Sequence, residues 1–432
     1  MPAMKHELPV ENRVIELIST LQGAGFEAYI VGGAIRDLLL GRRPKDYDIS
    51  TAATPEEVRN VFGRRSARII GKRFRLVHVR HGGELFEVST FRRAPSPESA
   101  AVGPDGRKHE ELPEHMILSD NSFGTAEEDA WRRDFTVNAL FYDPVRSELI
   151  DHTGQGIDDI RSGVVRAIGN PRLRFEEDPV RMLRALKLVG QYDFSFDAAT
   201  ENALFAMLPL IRHAAPSRLS LELEKILSSS YGDKHLLAFH DYGLLEYFLP
   251  EIDTAWGSPV CEYALNLFNE RNCRVAEGIY RNSISLAMAT LALPFVEQQC
   301  GSPVGTLWKN SPDARAAIAG VLDRLFRPQT MMNRMTLSAE RVLQLQALFG
   351  EPKSRPEQLM ESRSYAHSRE LLLIRTAVQE GDVAELERLW PPVGVRRRGG
   401  RNDGRNAEGE GGGGRRPRRR RHRSRRGKEP ES

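Results

Sequence analysis

Val31-Gly32-Gly33-Ala34-Ile35-Arg36-Asp37, followed shortly by Asp46-Tyr47-Asp48-Ile49, is the stretch that decides how this chain folds. Upstream, Val14 to Leu21 carries helical apolar spacing, Gly23 and Gly25 interrupt it, and Ala28 to Val31 makes a short apolar strand. Gly32-Gly33 then opens a helix from Ala34 to Leu40, with Gly41 as its C-terminal cap. Tyr47 to Ile49 predicts a second strand. Residues i and i+2 of a strand face the same way, so Asp46 and Asp48 stand side by side. Two unpaired carboxylates repel, and divalent cations turn that repulsion into a binding site. Such metal pairs stabilise the attacking and leaving oxygens of phosphoryl transfer. Alone, an Asp-x-Asp fits a solvated loop. Beside a Gly-Gly turn it gains a meaning. Two glycines let a phosphate approach the backbone, and a helix N-terminus supplies free N–H groups. Arg36 can add a charge-assisted phosphate contact, with Asp37 orienting it.

Working outward, Thr54-Pro55-Glu56-Glu57 has the composition of a helix start. Strands are expected over Arg75 to Arg80 and Leu85 to Phe91, joined at Gly82-Gly83. Within the second, Glu87 lies between apolar Phe86 and Val88 and projects opposite to them, towards the face of the Asp pair. Residues 94–124 are rich in Pro, Gly, Ser and charge and read as a mobile loop. Pattern returns at Glu127 and runs to a strand near Ala139 to Tyr142. Between them lies Arg132-Arg133-Asp134-Phe135-Thr136-Val137-Asn138. Arg133 is a candidate phosphate ligand, and Asp134 can line the site or order its arginines. Asn138 is placed to contact a nucleotide sugar or base. Asp178-Pro179 reads as a helix cap followed by the first helical residue. Arg181 and Arg184 share a face near that start. Cations there oppose the helix dipole, a cost that a neighbouring anion or acceptor-rich base offsets.

The chain has 432 residues, 40% hydrophobic and 28% charged, which suits a soluble globular protein of two or three domains. No apolar run approaches the roughly 20 residues of a membrane span, and Met1 to Val10 lacks the apolar core of a signal peptide. Cys261, Cys273 and Cys300 have no partner at metal spacing and read as buried, reduced thiols, so a cytoplasmic protein is expected. The net charge of +3 conceals an asymmetry. Residues 396–432 hold fifteen Lys/Arg against five Asp/Glu, which leaves the other 395 residues at −7. Such a tail suits sequence-independent phosphate contact, with Arg415, Arg416, Arg418, Arg419, Arg420 and Arg421 as candidate RNA ligands. The expected class is α+β. A head with a small mixed sheet (1–175) precedes helical residues 176–255 and a C-terminal helical body (256–392). Strands are expected to vanish beyond Pro179, and residues 393–432 to be a disordered Arg/Gly-rich tail.

Together the Gly-Gly-x-x-Arg-Asp turn, the Asp-x-Asp, Arg-Arg-Asp-Phe-Thr-x-Asn and Glu-Asp-Pro-x-Arg occur in order over residues 25–255. They resemble the class II nucleotidyltransferases, that is, the bacterial poly(A) polymerases and the tRNA CCA-adding enzymes. The resemblance implies that Asp46 and Asp48 are catalytic metal ligands, with Glu87 and Asp134 as further catalytic acids. It places Gly32, Gly33, Arg36, Asp37, Arg133, Asn138, Asp178, Arg181 and Arg184 around the nucleotide. Ile69 to Val79 looks like an element of the polymerase subfamily, and so does Leu118 to Asp129. Lys72 and Arg73, in the basic turn of the first, are candidate RNA ligands. The implied reaction is attack by an RNA 3′-hydroxyl on the α-phosphate of ATP, with release of pyrophosphate and Mg2+ in a two-metal site. A monomer acting on RNA 3′ ends is expected, with RNA-decay or RNA-chaperone proteins as candidate partners. The alternatives are a CCA-adding enzyme and, from another class, an inactive RNA-binding scaffold.

Overall fold

The computed structural model describes residues 4–71, 75–93, 122–329, 331–349 and 356–392. Eight strands form one sheet: β1 (Met4–Lys5), β2 (Ala28–Val31), β3 (Asp48–Thr51), β4 (Ala67–Ile70), β5 (Leu76–His81), β6 (Glu84–Thr90), β7 (Leu140–Asp143) and β8 (Glu148–Asp151). Their order is β1-β8-β7-β2-β3-β6-β5-β4. β3 and β6 run parallel, and every other neighbouring pair is antiparallel. The sheet is mixed, as expected, but larger than the motifs suggested. The unforeseen strands are β1, β8 and β4, at the two ends of the sheet and away from the glycine and acidic motifs.

The pattern of burial explains the order. β7 is buried at every position, and β2 nearly so, as central strands covered on both faces must be. In β6, Phe86 and Val88 are buried and Glu87 is exposed. Phe86 and Val88 join Ile30, Ile49, Val77 and Val79 in the core that Val14, Leu17, Ile18 and Leu21 of the Asn12–Gly23 helix also enter. The helix Pro55–Phe62 starts as its sequence predicts. The Thr54 hydroxyl accepts from the Glu57 N–H, the Glu57 carboxylate accepts from the Thr54 N–H, and Pro55 takes the first position.

Past the sheet, helix Pro171–Glu177 ends at Asp178 and helix Val180–Tyr192 follows. This differs slightly from the expected Asp178–Pro179 helix start. Asp178 terminates one helix, Pro179 caps the next, and the Asp178 Oδ1 accepts from the Val180 N–H at 3.2 Å. The second helix packs closely on Gly232–Asp241, where a Cβ on Gly190 would lie 2.5 Å from the Lys234 carbonyl oxygen. Strands do not wholly vanish beyond Pro179. β9 (Val164–Val165) and β10 (Ser195–Phe196) pair in parallel and tie the two parts together. The remaining helices gather round Ile284–Gln299, whose residues from Leu286 to Glu297 are all buried.

Two further expectations are corrected. Cys261 is buried and Cys300 half-buried, but Cys273 is exposed because it lies on the solvent side of helix Pro259–Ala276. Ser122 to Gly124, expected to belong to the mobile loop, is anchored: the Arg93 N–H donates to the Ser122 carbonyl and the Gly124 N–H to the Phe91 carbonyl. Residues 94–121, Lys72, Arg73 and the tail with Arg415 to Arg421 lie outside the described residues. No helix among those described is long and apolar enough to cross a membrane.

Candidate active site

Register brings the acidic residues to one end of the sheet. Asp48 opens β3 and faces Val31, the last residue of β2, while on its other side it pairs with Glu87 of β6. Asp46 lies just before the strand. Asp46 and Asp48 are exposed, whereas Tyr47 and Ile49 point into the core. Burial in the site wall, together with the charges of Asp46 and Glu87, pushes the Asp48 carboxyl up to about 6, although Arg133 and Lys225 draw it down. Solvent reaches Asp48, yet the surrounding protein is dense enough to disfavour its charge. Glu87 leans away, its Oε1 3.4 Å from the His78 Nε2.

The glycine turn comes from the neighbouring strand end. Gly32 has φ 75° and ψ −138°, a conformation reserved in practice for glycine. A Cβ there would lie 3.3 Å from the Arg133 Nη1. Arg133 donates to Asp129 at 2.8 Å and to the Ser50 hydroxyl at 3.4 Å. Since Ser50 shares a strand face with Asp48, Arg133 overhangs the acidic pair. Arg36 is turned inwards. It bonds Asp37 at 2.8 Å, the Tyr192 hydroxyl at 2.6 Å and the Asn138 side chain. Arg36 and Asn138 thus brace the glycine turn from behind, and Asp37 orients Arg36 as the sequence suggested.

The helical part supplies the opposite wall. Asp134 accepts from the Arg181 Nε at 2.7 Å and from the Arg184 Nη1 at 2.6 Å. Burial alone would raise this carboxyl, but the two guanidiniums outweigh it and hold it well below the usual carboxylate range. Arg181 also donates to Glu177 at 2.8 Å, and Arg218 to Asp178 at 2.6 Å. The anions that offset the two arginines near the helix start are therefore Asp134 and Glu177. Between these walls lies a cleft of about 670 Å³ lined by Gly32, Gly33, Arg36, Asp48, Arg133, Asp134, Asn138, Asp178, Arg181 and Arg184. Asp46 and Glu87 line an adjoining groove with Asp48, and Asp37 lines a third.

Sequence reading passed over several residues that the fold adds. Arg92 and Arg218 line the cleft, and Tyr192 links to Asp37 at 2.7 Å. Glu222 accepts from Lys225 at 2.8 Å and pairs with Lys187. A signal for Glu222 existed. With Leu219, Leu223 and Ile226 it occupies the buried face of the helix Pro216–Leu227, a place where an acid needs a partner. Arg92 and Arg218 carry no such mark, since arginines on loops and helix surfaces are common.

The donor set suits a hard divalent cation, since Asp46 and Asp48 offer oxygen ligands and crowd each other electrostatically. Among the described residues no three His, Cys, Asp or Glu side chains could hold a metal between them. The pair fits an ion whose remaining positions come from phosphates and water, as magnesium commonly binds.

A mixed sheet presenting two carboxylates beside a glycine turn, faced by an arginine-bearing helical wall, defines a nucleotidyltransferase. Residues 28–166 match the "Poly A polymerase head domain", and residues 193–255 the "Probable RNA and SrmB- binding site of polymerase A". Residues 308–426 match the "Polymerase A arginine-rich C-terminus". Poly(A) polymerase I of Haemophilus influenzae is 37% identical over 385 residues, covering 87% of this chain and 83% of that one. The Escherichia coli enzyme of the same name is 34% identical over 393 residues, 88% and 81% of the two chains. A CCA-adding enzyme from Geobacillus is 37% identical over 235 residues, 54% of each chain. The solved CCA-adding enzyme of Bacillus stearothermophilus in complex with CTP superposes with a TM-score of 0.60 at 26% identity, over 88% of this chain and 80% of that one. The chain belongs to the poly(A) polymerase family and is an enzyme that adds adenylate to RNA, with the CCA-adding enzymes as relatives.

Proposed function

We infer that Asp46 and Asp48 hold the divalent metal of the adenylyl transfer, with Mg2+ in a two-metal arrangement and Glu87 as the neighbouring acid. The observation that carries this is the convergence of Asp48, the Gly32-Gly33 turn and Arg133 on one cleft. Bound metal there would neutralise the triphosphate and ease deprotonation of the RNA 3′-hydroxyl. The protein does the rest. Gly32 and Gly33 leave room for phosphate, Arg133 draws its charge, and Asn138 with Arg36 keeps the turn in shape. Asp178, Arg181 and Arg184 bound the far wall, where the adenine fits between guanidinium groups that Asp134 and Glu177 hold in place. Positioning and electrostatics suffice for the transfer, with no covalent enzyme intermediate.

The division into a head (1–175), recognition helices (176–255), a helical body (256–392) and a basic tail (393–432) follows these roles. Segment 193–255 is the one we assign to RNA-decay or RNA-chaperone partners. Lys72, Arg73 and the arginines from Arg415 to Arg421 are assigned to RNA. We assign the enzyme to the cytoplasm, a reading supported by its free thiols, and take it to act as a monomer. Polyadenylation is favoured over CCA addition because the poly(A) relatives match most of the chain and the CCA relatives about half. The test offers ATP or CTP separately to an unstructured RNA and to a tRNA lacking its terminus. A homopolymeric A tail on the first RNA is expected; CTP addition confined to the tRNA would overturn this.

A further inference from the structure

We propose that the phosphates of the RNA strand just behind the reacting 3′ end lie in the groove lined by Arg42, Arg43, Lys45, Lys187, Lys225 and His235. This rests on the adenylyl transfer at Asp46 and Asp48 described above. In-line displacement brings the attacking hydroxyl in opposite the leaving pyrophosphate, so the RNA must reach the carboxylates from outside the nucleotide cleft. Two grooves meet them there. One runs along β6 and is lined by Glu11, Asp46, Asp48, Glu84 and Glu87 against Arg13, Arg43 and Lys45. Its acidic excess repels a polyanion. The other, of about 860 Å³, carries Arg42, Arg43, Lys45, Lys187 and Lys225 against Asp37 and against Glu222, which pairs with Lys187 and Lys225, and so keeps a net positive lining. Arg43 and Lys45 line both grooves, and the first also holds Asp46 and Asp48, so this groove adjoins the reacting centre.

Two buried groups point the same way. His235, in the groove wall, is only 3% exposed, and neither ring nitrogen has a hydrogen-bond partner. Burial and the nearby Lys187 keep its imidazole neutral, down to about 3, so it can donate one hydrogen bond to a phosphate or ribose oxygen. Behind it Arg271 is 1% exposed and makes no ion pair among the described residues. Its guanidinium bonds the Ser229 carbonyl at 3.2 Å and the Asn282 side chain, both residues of the groove. A buried cation without a counter-ion is costly. An RNA phosphate in the groove supplies the missing negative charge. Recognition of this kind reads the backbone and not the bases, as a growing homopolymer requires.

The test uses the full chain with an unstructured RNA primer and the variant Arg42→Ala/Lys45→Ala. The primer KM should rise roughly tenfold, and the salt slope of kcat/KM should fall by about 0.7 for each phosphate that is no longer neutralised. The ATP KM should stay within about twofold, since neither side chain lines the nucleotide cleft, and this also shows that the variant is folded. An unchanged primer KM, or a rise confined to ATP, overturns the proposal. A primer with 4-thiouridine two nucleotides from its 3′ end should cross-link to the peptide from Lys225 to His235. Cross-links to Glu84–Glu87 instead place the RNA in the acidic groove and sink it. If wild-type enzyme cross-links as expected but adds no AMP, the groove stands and the transfer reading fails.

Discussion

Asp134 and Arg184 are joined by a 2.6 Å ion pair that fastens the segment following helix Ala126–Trp131 to the first long helix behind the sheet. Arg181 holds the other carboxylate oxygen at 2.7 Å, so one aspartate fixes two arginines of the nucleotide wall. We read this aspartate as positional, where the resemblance implied a catalytic acid, because both its oxygens are taken up by arginines. Asp134→Ala should destabilise the protein by about 2–4 kcal/mol, because a partly buried cation pair loses its anion. The ATP KM should rise with it. A thermal melt alongside steady-state kinetics tests both, and a variant with normal stability and ATP KM would refute the role.

The same pair sets a pH dependence. The folded Asp134 carboxyl lies below its unfolded value of about 3.9, so its stabilisation is present above that pH. It is lost as pH falls further, through the depressed folded value. The stability difference between wild type and Asp134→Asn should be constant from about pH 5 to 8 and shrink below about pH 4. Denaturant titrations at each pH measure it; a difference that grows on acidification would contradict the sign.

Asp46→Ala or Asp48→Ala should abolish AMP addition while leaving the melting temperature of metal-free protein unchanged or slightly raised. Both side chains are exposed, and removing either relieves like-charge crowding at Asp48. Near-normal elongation by either variant would sink the metal assignment.

Gly32→Ala should cost about 1–3 kcal/mol through backbone strain at positive φ. Its new methyl group would press on Arg133, so the ATP KM should rise while the primer KM does not. Equal changes in both constants would show the turn to be merely structural.

Deleting residues 396–432 removes a surplus of ten positive charges. RNA affinity and its salt slope should both fall, with turnover at saturating primer preserved. Filter binding at several salt concentrations decides it, and unchanged binding at low salt would leave the tail without an RNA role.

Sequence by itself determined the local chemistry of this protein. The period-two exposure of Asp46 and Asp48 around buried Tyr47 and Ile49 could be read directly, as could the cap at Thr54 and the turn at Gly32-Gly33. Each depends on residues a few positions apart, whose steric and hydrogen-bonding preferences act without help from the rest of the chain. Tertiary structure alone decided which acid holds each arginine that lines the cleft. Arg36 turned inwards to Asp37 and Tyr192, while Arg181 and Arg184 found Asp134. It also decided the size of the sheet and the two grooves beside the carboxylates. Charge pairing between distant segments follows from strand register and helix packing, and no local pattern records which guanidinium will meet which carboxylate.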